Sequence, residues 1–402
     1  MLILEPVEAP AADVPPAVAP PPGNPRFPLF DGLRAIAALS VVVNHVGERP
    51  NGVTVGWVGD FASQMNAGVT IFFLISGFLL YRPFVAARHT GRRSPRIRDF
   101  ARRRILRIVP AYWLALTVAT LWLGLSGPFG HRWWLFYGFG QTYDSRTAFS
   151  GLSVAWSLST EMTFYVLLPL YASVVAALVR RRRRALICET GLLAGLAFFA
   201  LLFDHFEPHH ASWKYTYTIA GTLDWFALGM FLAVTSVAVT ARPTPPVFIR
   251  VVHRLPGLMW SVAAGSFVLS VLLYRYHPIA IGTHLLFGAT AFFLLLPAVF
   301  VRPNERRQGV PARVLRTRLI AWLGLISYGI YLWHTPLILR IAPSLTANST
   351  SVSSFVLLLG VAVTASIAVG AASYYLVEQW FLRLKDPTRS RRANAAPATP
   401  DP

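Results

Sequence analysis

Lysine is almost absent from this sequence: of 37 basic side chains, only Lys214 and Lys385 are lysines. Acids are scarce too, at 17 Asp and Glu, and all charged residues together make up 13% of 402 positions. A soluble domain carries about a quarter charged residues, so a soluble globule of this composition would lack the polar surface to cover itself. There is one cysteine, Cys188. That excludes internal disulfides and cysteine-built metal clusters, and its apolar setting reads as packing. A basic leader followed by a long apolar core is also missing from the start. Residues 1–25, rich in Pro and Ala with Glu5, Glu8 and Asp13, therefore read as a disordered tail, not a signal peptide. Residues 386–402 read the same way.

What is present is apolar. Hydrophobic residues reach 54% and the mean hydropathy is +0.50, which places the chain in a membrane before any fold is considered. The net charge of +20 and pI near 11.0 would suit a nucleic-acid binder. The arginines, however, sit in short runs between apolar segments, where membrane topology explains them, so no nucleic-acid partner is expected.

A helix needs roughly 20 apolar residues to cross the hydrocarbon. Candidate segments fall at 29–46, 66–86, 105–126, 152–179, 186–203, 217–240, 258–274, 280–301, 319–341 and 353–381. The expectation is an all-α polytopic bundle of about ten transmembrane helices over residues 26–385. Residues 82–107 hold ten arginines against one acid, Asp99. Arg180 to Arg184 form an unbroken run, and further clusters follow the sixth, eighth and tenth segments. The alternate loops carry one or two basic residues each. By the positive-inside rule this alternation puts both termini in the cytoplasm of a multi-pass plasma-membrane protein.

Ionisable groups inside a bilayer are costly and mark functional sites. Segment 1 holds Asp31, Arg34 and His45. Eleven residues turn an α-helix by about 1100°, so Arg34 and His45 share a face, with His45 about 16 Å further outward. Segment 4 holds Ser157, Glu161 and Tyr165 at i, i+4, i+8, on one stripe. Segment 9 holds Ser327, Tyr331 and His334 on one face, followed by Pro336, which interrupts the backbone ladder. Segment 2 has Ser76 and Gly77, whose small size suits close helix packing. Plainer readings stand beside these. Arg34 snorkels to the interface, Glu161 is a structural strut, and the segment 9 aromatics form an interfacial belt. The charge-derived topology places His45, Glu161 and His334 together in the outer half of the bilayer. Two imidazoles and a carboxylate at one depth suit acid–base work on a hydroxyl, and the arginine-rich side suits a polyanionic donor.

Six segments carry a family likeness: 30–45 (FDGLRAIAALSVVVNH), 72–79 (FFLISGFL), 103–113 (RRILRIVPAYW), 156–169 (WSLSTEMTFYVLLP), 224–233 (DWFALGMFLA) and 327–336 (SYGIYLWHTP). In this order the chain resembles acyltransferase family 3, integral membrane O-acyltransferases, over roughly residues 25–385. The resemblance implies transfer of an acyl group from cytoplasmic acyl-coenzyme A, acetyl-coenzyme A first among donors, to a hydroxyl of a sugar, glycan, or glycosylated lipid or metabolite. It implies His45 as the catalytic histidine, as base or acyl carrier, and Arg34 as its partner. It aligns Glu161 with the family's acid. Arg103, Arg104 and Arg107 align with its basic segment, which would hold coenzyme A. His334 joins the catalytic set, with Glu161 orienting an imidazole. Neither a metal nor a tightly bound cofactor is implied. Some members continue into a soluble esterase-like domain, which is not expected within these 402 residues. Thr222 and Leu223 precede Asp224 where members often carry an arginine, so Asp224 is given no role. A transporter or flippase without covalent chemistry and a structural assembly subunit remain the rival readings.

Overall fold

The computed structural model describes residues 27–48, 56–179, 185–206, 216–240, 244–301, 309–346 and 351–384. The two expected tails, the Arg180–Arg184 run and Lys214 lie outside the described residues. Those residues fold into helices in the order α1 (Pro28–Gly47), α2 (Trp57–Gln64), α3 (Ala67–His89), α4 (Ile97–Leu123), α5 (Trp133–Tyr137), α6 (Ala155–Val179), α7 (Ala185–Phe206) and α8 (Ile219–Thr240). There follow α9 (Val247–Arg254), α10 (Pro256–Tyr276), α11 (Ala280–Phe300), α12 (Gly309–Leu315), α13 (Arg318–Leu325), α14 (Ser327–Thr346), α15 (Val352–Ser373) and, after a π-helical turn at Tyr374–Glu378, α16 (Gln379–Arg383).

Each of the ten apolar segments becomes helix. Eight spans among the described residues are long and apolar enough to cross a membrane. The other two expected spans differ for physical reasons. α7 has a shorter apolar stretch, Ile187–Leu202. The segment expected at 319–341 is broken between α13 and α14. There Gly324 presses on the backbone of α1, and a Cβ on it would lie 1.9 Å from the Asp31 carbonyl oxygen. Segment 2 is longer than expected, because α2 leads into α3 and the two form one span from Trp57 to His89. The outward faces are greasy: Val166, Leu167, Leu170, Val174 and Leu178 of α6 are all exposed. An exposed apolar stripe of that length is the surface a helix shows to lipid.

α1 is the hub, touching α2, α3 and α11 to α15. Lipid tails are as apolar as side chains, so helices in a bilayer associate through close packing at small residues. The α3–α8 pair shows this. A Cβ on Gly77 would sit 2.3 Å from the Phe226 carbonyl oxygen, and one on Gly229 would sit 2.1 Å from that of Leu74. Gly77 is thus the packing residue the sequence suggested. On the side where α5 lies, residues 124–154 cover the start of α6. Gln141 donates to the Ala155 carbonyl at 3.3 Å and Thr142 to that of Trp156 at 3.4 Å. Ala155, Trp156 and Ser157 are buried as a result.

Candidate active site

α1, α3, α4, α6 and α14 enclose a polar cavity of about 80 Å³. Its charged lining is Arg34 from α1, Arg104 and Arg107 from α4, and Glu161 from α6. Three guanidiniums thus face one carboxylate. Glu161 Oε1 accepts hydrogen bonds from the Ser76 hydroxyl and the Tyr165 hydroxyl, each at 2.5 Å. Arg34 donates from Nη1 to Asp31 Oδ1 at 3.4 Å, one turn earlier on α1, and lies in the fields of Arg107, Arg104 and Glu161. The Arg104 guanidinium stands 5.9 Å from the centre of the Tyr165 ring, and its buried Nε hydrogen-bonds to none of the described residues. The Arg34 side chain is 17% exposed, so it does not snorkel into solvent.

Beside this cavity two imidazoles meet. His334 on α14 is fully buried, and its Nε2 is 3.3 Å from His45 Nδ1. The rings are edge to face at 5.0 Å. Each Nδ1 also faces a carbonyl four residues back: Val41 at 2.9 Å for His45, and Ile330 at 3.2 Å for His334. A carbonyl can only accept, so both neutral rings carry their proton on Nδ1. His334 Nε2 is then an acceptor, shared by the His45 Nδ1–H and the Thr335 hydroxyl at 3.3 Å. The consequence for His45 is a lone pair on Nε2, the form a general base requires.

The cavity and the imidazole pair are joined through α14. Tyr331 lines the cavity and lies 5.7 Å, ring to ring, from His334. Its hydroxyl shares a 2.7 Å hydrogen bond with Ser157. The stripe Ser327, Tyr331, His334 therefore runs from the cavity to the pair, as its spacing predicted.

Two expectations need correction. Glu161 does not meet His45: its hydrogen bonds go to Ser76 and Tyr165, and neither histidine lines its cavity. It sits among arginines instead of orienting an imidazole. Spacing along α6 fixes the face that Glu161 occupies, and says nothing of its height relative to His45 on α1. Arg103 stands apart from the other two arginines of its segment. It does not line the cavity that Arg104 and Arg107 line, because one residue along a helix is a turn of about 100°. Ser76, read from sequence as packing, is a ligand of Glu161.

A second, larger cavity of about 340 Å³ adjoins the first. Val69 borders both cavities, and Glu48, one turn after His45, lines this one and acts on the His45 charge. Tyr217, just before α8, lines it too. Burial, and then the charge of Glu48, hold the Tyr217 hydroxyl above its ordinary range, so it remains a donor. Sequence reasoning missed His284 of α11, which also lines this cavity. Its Nε2 meets Asp224 Oδ2 at 2.9 Å. The signal was available, since His284 interrupts the apolar run 280–301 and an imidazole there is as conspicuous as His45.

The family model described as an acyltransferase domain, family 3, matches residues 28–371. The chain is 24% identical over 370 residues to the peptidoglycan O-acetyltransferase OatA of Listeria monocytogenes, covering 87% of this chain and 55% of that protein. It is 26% identical over 336 residues to the putative peptidoglycan O-acetyltransferase YrhL of Bacillus subtilis, covering 79% and 49%. A putative O-acetyltransferase of Staphylococcus aureus is 23% identical over 325 residues, covering 77% and 50%. The chain thus spans about half the length of the curated relatives it matches. No solved structure matches it. The family match covers the helices that carry Arg34, His45, Arg104, Arg107, Glu161 and His334, and with it the chain belongs to acyltransferase family 3.

Proposed function

We propose that the protein is a membrane O-acyltransferase that takes an acyl group from acyl-coenzyme A on the cytoplasmic side. It delivers that group to a hydroxyl of a glycan on the other side of the plasma membrane, with both termini in the cytoplasm. The observation that carries this reading is the adjacency of an arginine-rich cavity and a histidine whose Nε2 is free to act as base. Three arginines against one carboxylate leave net positive charge inside the bundle. Such charge is disfavoured in a bilayer without an anionic partner, and the phosphates of coenzyme A supply one. The names of the relatives make peptidoglycan sugars the leading acceptors.

In this mechanism His45 Nε2 takes the proton of the acceptor hydroxyl as its oxygen attacks the thioester carbonyl. The new C–O bond forms, the C–S bond breaks, and the proton passes from His45 to the departing thiolate. Net, a thioester and an alcohol become an ester and a thiol. The Val41 carbonyl sets the His45 tautomer at 2.9 Å, and His334 Nε2 supports it at 3.3 Å. Arg34, the arginine of the cavity that shares a helix face with His45, faces the developing oxyanion. An acyl–imidazole intermediate on His45 would use the same nitrogen.

The test is transfer of label from acetyl-coenzyme A to peptidoglycan fragments by purified protein in lipid nanodiscs. Labelled glycan that disappears with His45→Ala supports the reading. Protein that moves an unmodified substrate across a vesicle membrane and transfers no label would instead establish the transporter.

A further inference from the structure

The Asp224–His284 pair and the cavity it borders take no part in the steps above. Three features of that cavity point to a ligand. It is walled by flat aromatic faces: Trp225 stacks on the His284 ring at 4.2 Å and 17°, and Trp156 meets Tyr217 edge to face at 4.8 Å. The His284 ring covers one face of Trp225 and leaves the other as an apolar plane with a polar edge, the surface on which the C–H face of a pyranose lies. Gln64 lines the cavity, is only 3% exposed, and its Oε1 hydrogen-bonds to none of the described residues. A buried amide oxygen without a donor costs roughly 1–3 kcal/mol, a cost that a ligand hydroxyl or amide N–H removes. His284 is held by Asp224 through Nε2, which leaves Nδ1 as an acceptor for a hydroxyl. Asp224 Oδ1 is likewise buried without a partner among the described residues.

Charge and position narrow the ligand. No arginine or lysine is among the lining residues, and the one carboxylate there is Glu48, so an anionic group is not what the cavity collects. The other cavity is arginine-lined, the two share Val69, and Glu48, one turn after His45, lines the arginine-free one. We propose that the cavity of Gln64, Trp225 and His284 is the acceptor subsite, holding an uncharged sugar ring with hydroxyl and amide groups, Trp225 beneath the ring and Gln64 at its edge. This rests on the acyltransferase reading for its place in the reaction, though not for the binding itself. The chemistry is that of a small set of placed polar groups in an apolar wall, in which a site built to hydrogen-bond a hydroxyl discriminates strongly against a ligand lacking it.

The experiment titrates N-acetylglucosamine tetrasaccharide into the full-length protein in nanodiscs, with quenching of tryptophan fluorescence as readout. Saturable binding that weakens tenfold or more in Gln64→Leu is expected, with a melting temperature equal to or above wild type. Leu matches the volume and removes an unpaired buried oxygen, so a purely structural Gln64 would give the stability change without the affinity change. No saturable binding, or wild-type affinity in Gln64→Leu, overturns the subsite. Trp225→Ala is the second variant and loses the stacking face with a similar or larger effect. Sugar binding of this kind in a protein that transfers no acyl group would overturn the proposed function and leave the subsite standing. Transfer to glycan without oligosaccharide binding would do the reverse.

Discussion

The two histidines of the pair predict unequal defects. On the proposed mechanism His45→Ala removes the base, and general-base catalysis contributes about 10²–10⁴-fold, so kcat should fall by at least the lower factor with donor binding preserved. His334→Ala removes something smaller. His45 Nδ1 keeps its 2.9 Å bond to the Val41 carbonyl and loses only the 3.3 Å approach to His334 Nε2. The shorter bond, inside α1 itself, is the main determinant of the tautomer. A single neutral hydrogen bond is worth about 0.5–1.5 kcal/mol, so the expected loss in kcat is about three- to tenfold. The assay is initial rates of transfer from labelled acetyl-coenzyme A, with protein amount and melting temperature matched. Inactivation of His334→Ala as complete as that of His45→Ala would refute this division of labour and put His334 in contact with the reacting atoms. Retention of more than a tenth of wild-type kcat in His45→Ala would refute the base assignment itself.

Other outcomes follow from the same geometry. Arg104→Gln or Arg107→Gln should weaken coenzyme A binding tenfold or more, since a charge-assisted contact contributes about 1.5–3 kcal/mol. Arg103→Gln, outside the cavity, should change it less than threefold in the same calorimetric titration. Gly229→Ala puts a methyl 2.1 Å from the Leu74 carbonyl and must part α3 from α8, so the purified protein should melt lower, by about 1–3 kcal/mol of stability or more. Glu189 pairs with Arg88 and accepts from the Tyr81 hydroxyl at 2.5 Å while buried to 1% exposure. Glu189→Gln leaves the cation uncompensated and should cost about 3–5 kcal/mol, read as loss of folded protein on size exclusion. In intact cells lacking Cys188, a cysteine at Thr90 should resist impermeant thiol reagents and one at Ser145 should label. The opposite pattern would invert the topology.

The helices were legible because a bilayer demands long apolar stretches, and all ten segments appear. The break at Ile326 was not, since it depends on Gly324 touching α1, a contact between residues far apart in sequence. The pairing of Arg34 with His45 on one face was plain from spacing within one helix, and so was the Ser327–Tyr331–His334 stripe. Spacing within a helix says nothing about its vertical offset from another. That is why Glu161 was set beside His45 when it lies among Arg34, Arg104 and Ser76. Gln64 was invisible for a related reason, and His284, though conspicuous in its apolar run, could not be given neighbours: each is a single polar residue on its own element, and both come to line one cavity only in the fold.

That offset has a consequence for how the reaction divides across the membrane. With Glu161 beside His45, the carboxylate would raise the basicity of the imidazole and hold the cation formed in the reaction. With Glu161 among the arginines, the imidazole has no carboxylate partner in hydrogen-bond contact among the described residues, and the nearest acid by sequence is Glu48, one turn further along the chain at the second cavity. In the proposed mechanism the positive charge that develops on His45 as it takes a proton is then met from the side of Glu48, where the hydroxyl would arrive. The donor side of that mechanism is the arginine cavity, where Arg34 already pairs with Asp31 and Glu161 faces Arg104 and Arg107, which are the two left to meet phosphate. Each acid therefore serves the cavity it borders. Glu161→Gln should alter donor affinity with little effect on acceptor KM, whereas Glu48→Gln should lower kcat, most strongly where proton removal limits the rate. A Glu161→Gln variant with unchanged donor affinity and an altered pH–rate profile would return the carboxylate to His45 and overturn this assignment.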